Sequence, residues 1–292
     1  MADRAPKVRR SSQWLDIRRR FVRNRLAVVG LVMVIVLFLT AIFASVIAPY
    51  NIGRAAQDLK NTKAPPSRHH LFGTDATGRD LFSRVVFGTR YAIAVGLAVI
   101  AVSIVIGVVV GAVAGYFGKA WDAILMRVVD AFLAFPVLIG AILFVTVFER
   151  GLWQIILAIA IFSWATAARL LRSSVLSARS ADYVESARAI GASRWRILTR
   201  HILPNSLTPV LIYGAVSVPG AMIAQAALSF LGVGLKPGTP DWGQLISDGR
   251  GSFGYRDHLW FFPSLALVFT TLAFVLLADG LRDALDPRLR GS

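Results

Sequence analysis

One short segment of the sequence has the spacing of a phosphate-binding loop, from Gly73 to Asp80. In such a loop a lysine reaches the phosphates and a serine or threonine holds magnesium, but here Arg79 and Asp80 occupy those two positions. Because a carboxylate at the magnesium position repels phosphate, we reject nucleotide binding at this segment. We interpret it instead as a turn followed by a helix start.

The other reactive side chains are few or poorly spaced. Cysteine is absent, which excludes disulfides, thiolate zinc sites and cysteine nucleophiles. His69 and His70 are adjacent, so they point to different faces of any regular element and do not share a metal ion. The sequence contains no serine-hydrolase elbow and no zinc-protease motif. We therefore expect no catalytic site, no metal site and no cofactor on this chain.

A basic stretch over residues 173–206, called the docking loop below, has the pattern of a helical hairpin that binds another protein. We expect a first helix over 180–190 that stops at Gly191, because glycine permits a sharp bend. A second, amphipathic helix over 193–202 is expected to end near Pro204.

The segments around the docking loop are long and apolar enough to cross a lipid bilayer. The chain is 56% hydrophobic and only 16% charged, and charges are costly at the bilayer centre. Runs without Asp, Glu, Lys or Arg cover residues 26–53, 91–118, 131–148, 151–168, 201–235 and 258–278. The sequence therefore predicts an all-α membrane protein with six transmembrane helices.

The distribution of cations predicts the side of the membrane on which each loop lies. The net charge is +16, and more Lys and Arg lie inside if both termini are cytoplasmic. We therefore expect residues 51–90 outside and the docking loop inside. Trp14, Ile17 and Phe21 share one helix face, which predicts an amphipathic interfacial helix within residues 1–25.

Small residues recur at every fourth position of the second apolar run, at Ser103, Gly107, Gly111 and Gly115. Such a stripe lets another helix backbone approach closely, and the neighbour can belong to this chain or to another subunit. Ionisable residues are nearly absent from the predicted spans, whereas ion-coupled carriers and channels place them there. A secondary carrier or channel is therefore a weaker alternative than a transporter powered from outside these helices.

The docking loop resembles the EAA loop of permease subunits of binding-protein-dependent ABC importers. That pattern is Glu-Ala-Ala, three residues, Gly, nine residues, Ile, one residue and Leu-Pro. The matching residues are Glu185, Ala187, Gly191, Leu203 and Pro204, while Ser186 replaces the first Ala and His201 the Ile. In that family the loop forms a coupling helix against the ATPase subunit. The resemblance implies that residues 183–194 transmit ATP-driven motion.

Further segments resemble the C-type permease subunit of dipeptide, oligopeptide and nickel importers. They cover residues 72–84, 226–232, 240–243 and 279–288. Gln225 stands where relatives often carry Glu, so the substrate range can differ here. On this resemblance we assign Gln225, Asp241 and Trp242 to the substrate path. Structural roles in an outer loop and a helix end are the alternative.

The resemblance implies a type I, MetI-like importer permease fold in the cytoplasmic (inner) membrane. The expected segments are a tail over 1–25, a first transmembrane helix over 26–50, a periplasmic segment over 51–90, a core over 91–281 and a cytoplasmic tail over 282–292. The implied partners are a B-type permease subunit, two ABC ATPase subunits or one fused ATPase, an extracytoplasmic substrate-binding protein and membrane lipid, but no nucleic acid. ATP and magnesium would bind the ATPases. The implied cargo is a peptide, with nickel, haem or another small solute as alternatives.

Overall fold

The computed structural model describes residues 13–52 and 57–285, and most of them are helical. The helices are α1 (Gln13–Arg23), α2 (Arg25–Ile42), α3 (Ala44–Ile47), α4 (Leu81–Phe117), α5 (Lys119–Ala134), α6 (Val137–Val147), α7 (Leu152–Arg179), α8 (Asp182–Ala189), α9 (Arg194–Arg196), α10 (Leu203–Ser206), α11 (Thr208–Phe230), α12 (Trp242–Gly249) and α13 (His258–Leu285). A π-helical segment, Ile197–Ile202, joins α9 to α10, and a 3₁₀ turn, Arg250–Ser252, follows α12. The all-α membrane fold predicted from the sequence is confirmed.

Within the described ranges, five helices are long and apolar enough to cross a bilayer, namely α2, α4, α7, α11 and α13. A sixth span requires α5 and α6 together, and these two helices are bent by 89° at their junction. The bend follows from Pro136, because proline drives the preceding residue, Phe135, into an extended conformation (φ −93°, ψ 127°). The third apolar run therefore contains a break and is not one straight helix.

The centre of the fold is the packing of α4 along α7. The hydroxyl of Ser103 lies 3.4 Å from the carbonyl oxygen of Ala160 on α7. A Cβ atom added at Gly107 would lie only 2.7 Å from the Cβ of Ala167. Gly111 and Gly115 likewise contact α7. The stripe of small residues thus lets two helices of this chain lie with their backbones in close contact.

The N-terminal helices pack on α13. A Cβ atom added at Gly30 of α2 would lie 2.6 Å from the backbone nitrogen of Leu277. Phe21 of α1 approaches the same helix near Gly280, so α1 lies beside the last span. The side chains of Trp14 and Ile17, and residues 1–12 and 286–292 of the two predicted tails, lie outside the described residues.

Two carboxylates, those of Asp75 and Asp80, fix the backbone just before and at the start of α4 through hydrogen bonds. Asp75 accepts hydrogen bonds from the backbone N–H groups of Thr77 (2.8 Å) and Arg79 (3.0 Å). Asp80 is the N-cap of α4 and accepts from the N–H of Ser83 at 2.8 Å. The interpretation of this segment as a turn and a helix start is confirmed.

Candidate functional site

Helix α8 begins shortly after α7 ends and turns one face to the helix bundle and the other to solvent. Val184 and Ala187 are buried, at 0% and 5% exposure, whereas Glu185 and Ser186 are exposed. Asp182 and Glu185 lie in the first turn, where a negative charge interacts favourably with the helix dipole. The Glu-Ser-Ala motif therefore combines an inner residue that packs with two outer residues that are free to contact a partner.

Gly191 ends α8 in a Schellman motif. Its φ angle is +80°, and the N–H of Ala192 donates to the carbonyl oxygen of Ala187 at 3.0 Å. A Cβ atom added at Gly191 would meet no atom of the described chain within 4 Å, so the backbone conformation, and not space, favours glycine. Ile190 beside it is 85% exposed, which leaves an apolar side chain at the tip of the loop.

The second half of the docking loop differs from the prediction, because the helix does not end near Pro204. The helical backbone passes through the π-helical segment and α10, and only Leu207 separates α10 from α11. Within the π-helical stretch the N–H of Leu203 bonds to the carbonyl oxygen of Leu198. This wider turn tolerates the missing N–H of Pro204, which stands in the first turn of α10. The docking loop is thus joined to α11 by nearly continuous helix.

An apolar cluster holds the docking loop on the ends of three transmembrane helices. The cluster contains buried residues of the loop and of α4, α7 and α11, namely Val184, Ala187, Ile197, Leu198, Ile202, Ala112, Tyr116, Ala167, Leu171, Val175 and Val210. Burial of one aliphatic side chain of valine or leucine size contributes about 1.5–3 kcal/mol. The loop is therefore packed as part of the bundle, and a force on α8 acts directly on these helices.

The three residues assigned to the substrate path lie in the protein interior. The side-chain amide of Gln225 donates to Asp241 Oδ2 at 2.8 Å, and the hydroxyl of Ser229 donates to the same oxygen at 2.5 Å. Trp242 Nε1 donates to the carbonyl oxygen of Val85 at 2.9 Å. These bonds join α11, α12 and α4. In this conformation the three side chains have structural partners, and their contact with substrate stays a prediction.

The buried carboxyl of Asp241 predicts a pH-dependent stability. Burial raises the pKa of Asp241, and hydrogen bonds from Ser229, Gln225 and the N–H of Gly243 offset part of this effect. Because the folded pKa is the higher one, stability falls as pH rises from the unfolded pKa to the folded pKa. We expect Asp241→Asn to flatten this dependence, measured as the unfolding temperature of the purified protein between mildly acidic and neutral pH.

Replacement of an exposed acid, Glu149→Gln, is the matched control for Asp241→Asn. The control is expected to keep the wild-type dependence of the unfolding temperature on pH. An unchanged pH dependence in Asp241→Asn would show that this carboxyl has the same pKa in the folded and unfolded chain.

A cavity of about 300 Å³ lies between α4, α6, α7 and α11. Its walls are mostly apolar, but the hydroxyl-bearing residues Ser103, Ser163, Tyr213 and Ser217 also line it. The hydroxyls of Ser163 and Ser217 each donate to a carbonyl oxygen of their own helix at 2.7 Å, so their lone pairs remain able to accept a hydrogen bond. Ser163, Tyr213 and Ser217 could not be grouped from the sequence, although each is a polar residue inside an apolar run.

Two family descriptions match the sequence. Residues 107–291 match the family described as binding-protein-dependent transport system inner membrane component. Residues 12–66 match the N-terminal TM domain of oligopeptide transport permease C. The two matches together extend over most of the chain.

Two curated relatives match the chain over nearly its full length, and one solved structure matches its fold over a smaller part. It is 41% identical over 278 residues to glutathione transport system permease proteins GsiD of Escherichia coli and Shigella boydii, which covers 95% of this chain and 91% of each relative. Its fold is similar to a chain of the MetNI methionine ABC transporter in an inward-facing conformation, with a TM-score of 0.55 and 21% identity over 70% of this chain and 97% of that chain.

Proposed function

Because the chain belongs to the family of binding-protein-dependent transport system inner membrane components, the permease subunits of ABC importers, we propose that it forms half of the path of a peptide importer. The observation that carries this proposal is the docking loop. Its sequence resembles the family's coupling motif, and its buried side chains are packed on α4, α7 and α11. A partner that moves α8 thus moves the helices that line the path.

The proposed mechanism is alternating access driven by partner subunits. A substrate-binding protein delivers the peptide on the outer side, and ATP binding on the ATPase subunits displaces α8. The apolar cluster passes this displacement from α8 to the nearly continuous helix that runs from α9 into α11. A second, similar permease subunit supplies the other wall of the path. Coupling of this kind requires that the ATPases bind two global states of the permease with different affinity.

The cavity between α4, α6, α7 and α11 is the part of the path that we assign to this subunit. Ser163, Tyr213 and Ser217 present hydroxyl oxygens in a mostly apolar wall. A peptide backbone carries both donors and acceptors, and neutral hydroxyls can bond to it without the desolvation cost of a buried charge. This lining suits a cargo that must bind weakly and leave again.

A small peptide is the cargo that we propose. The relatives named above are permeases of glutathione transport systems, and glutathione is itself a tripeptide. Gln225 donates its amide to Asp241 and carries no charge, so this position does not supply the carboxylate that would attract a peptide amine. We therefore expect the acceptance of peptides to depend little on a free amino terminus. Nickel, haem and other small solutes are the alternative cargoes.

The location and partners follow from the same proposal. The chain is a multi-pass protein of the inner membrane, with both termini and the docking loop in the cytoplasm. No catalytic group is assigned to this chain; hydrolysis of ATP, with its magnesium ion, takes place on the ATPase subunits, as two chains or one fused chain.

The proposal is tested by peptide uptake into vesicles that contain this chain with its neighbouring subunits. Labelled dipeptides, glutathione and longer peptides are supplied with the binding protein on one side of the vesicle membrane. ATP is present or absent on the other side, where the docking loop lies. We expect uptake of peptides only with ATP. Uptake driven by a proton or sodium gradient without ATP would reject the importer mechanism in favour of a secondary carrier.

A further inference from the structure

A basic cavity of about 480 Å³ lies where α8 meets the ends of α4 and α7. It is lined by four cationic residues, Lys119, Arg179, Arg188 and Arg194, and by the aromatic residues Tyr116 and Phe117. Lys119 begins α5 and Arg179 ends α7, whereas Arg188 and Arg194 lie on α8 and α9. The cavity is large enough for the headgroup of a phospholipid and carries the charge that such a headgroup would neutralise.

The four cations of the basic cavity have no acidic partner among the described residues. The ion pairs of the described chain involve Asp75, Asp80, Asp122 and Asp130 and none of these four cations. Asp122, which lies one turn from Lys119, is held by the guanidinium of Arg172. Because like charges at close range repel one another, a cavity with four unpaired cations is most stable with an anion inside it.

The start of α5 adds to the attraction for an anion. Gly118 and Lys119 have φ angles of +64° and +49°, and this left-handed turn places the first residue of α5 in the cavity wall. For a lysine such a conformation is uncommon and strained. Among the described residues, no side chain caps the N-terminus of α5, so its backbone N–H groups remain available. Helix N-termini favour phosphate and other anions.

The position of the cavity along the helices indicates a membrane boundary. Phe117 is the last residue of α4, a candidate span, and its ring lies 5.6 Å from the ring of Trp195. Trp195 itself is 62% exposed. Tyrosine and tryptophan collect at the level of lipid headgroups, and basic pockets between helices on the cytoplasmic side bind anionic headgroups.

We propose that the basic cavity binds the phosphate headgroup of an anionic membrane lipid. The headgroup bridges Lys119 and Arg179 at the helix ends to Arg188 and Arg194 of the docking loop. It thereby holds α8 against the bundle. This inference goes beyond the proposed function and holds for any cargo, although it shares with that proposal the cytoplasmic position of the docking loop.

The test is competition for a fluorescent phosphatidylglycerol bound to the purified complex of this chain with its partner subunits. The competitors are unlabelled phosphatidylglycerol, phosphatidylcholine and inorganic phosphate. A cation near an anionic lipid contributes about five-fold to binding, so the loss of two cations in Arg179→Gln with Arg188→Gln is expected to weaken binding about 25-fold. Arg127→Gln with Arg282→Gln removes two exposed cations that lie outside the docking loop and do not line the cavity, and this double variant is expected to keep the wild-type affinity.

The outcomes separate the possible ligands. Equal binding by the two double variants would overturn the assignment to this cavity. Effective competition by phosphatidylcholine would reject selectivity for an anionic lipid, and competition by inorganic phosphate at equal concentration would identify a soluble anion as the ligand. Lipid binding that appears only after the ATPases are removed would overturn the proposal for the assembled importer. Equal unfolding temperatures of the two double variants verify that both remain folded.

Discussion

Replacing Gly191 with aspartate is expected to reduce ATP-dependent uptake at least about 30-fold while the importer still assembles. The side chain at this position meets no atom of the described chain within 4 Å, so it projects from the tip of the docking loop. If an ATPase subunit binds there, the new carboxylate is buried without a partner, which costs about 2–5 kcal/mol. Aspartate tolerates a positive φ better than most residues, so the fold itself changes little.

The structure offers a closely matched control for Gly191→Asp. Gly232 has a φ angle of +84° and, like Gly191, no atom of the described chain within 4 Å of an added Cβ. It also ends its helix in a Schellman motif, because the N–H of Val233 donates to the carbonyl oxygen of Leu228 at 3.0 Å. Gly232→Asp therefore adds the same charge in the same backbone geometry outside the docking loop.

Uptake and assembly measured together decide whether the docking loop couples ATP to transport. We expect both variants to co-purify with the partner subunits, and only Gly191→Asp to lose uptake and the stimulation of ATP hydrolysis by substrate. Comparable uptake by the two variants would show that the docking loop does not couple ATP hydrolysis to transport.

Gly111→Ala is expected to destabilise the bundle, because an added methyl group would collide with the backbone of α7. The added Cβ would come closest to the backbone carbonyl oxygen of Ala168, and it would also lie 3.0 Å from the Cβ of Leu171. A backbone atom of a packed helix cannot rotate away, so α4 and α7 must separate. Overpacking of this kind costs about 1–3 kcal/mol, which lowers the unfolding temperature by several degrees.

Gly220→Ala is the matched control for the packing of α4 and α7. Gly220 is also a glycine inside an apolar helix, α11, but an added Cβ there meets no atom of the described chain within 4 Å. Alanine favours helix over glycine by about 1 kcal/mol, so this variant is expected to unfold at the wild-type temperature or slightly above it. If both variants shift the unfolding temperature equally, close contact between α4 and α7 does not limit stability.

Several features could be predicted from the sequence because they depend on neighbouring residues. The length of an apolar run decides whether a helix can cross a bilayer, and the described part of the chain contains five such helices and one bent pair. The stop at Gly191 was predictable because only glycine readily adopts the positive φ of a Schellman motif. Asp80 similarly begins α4 with its own side chain.

Other predictions failed or were incomplete because distant residues decide the outcome. Pro204 ordinarily ends a helix, but Ile197, Leu198 and Ile202 are buried on α4, α7 and α11, and this packing keeps the backbone helical through a π-helical turn. The broken pair of α5 and α6 shows the opposite case, in which the local effect of Pro136 prevails. Local propensity therefore decides only where tertiary packing does not oppose it.

The sequence by itself determined that this chain is a helical membrane protein, because the length of an apolar run is a property of the linear chain. The spaced motif of residues 185–204 likewise predicted the docking loop. Only the tertiary structure decided which side chains meet. Gln225 bonds to Asp241 across 16 positions, and the basic cavity joins Lys119 to Arg188 and Arg194. Such groups come together through the packing of whole helices. The periodicity of one helix indicates which of its faces is apolar, but it does not specify which other helix packs against that face.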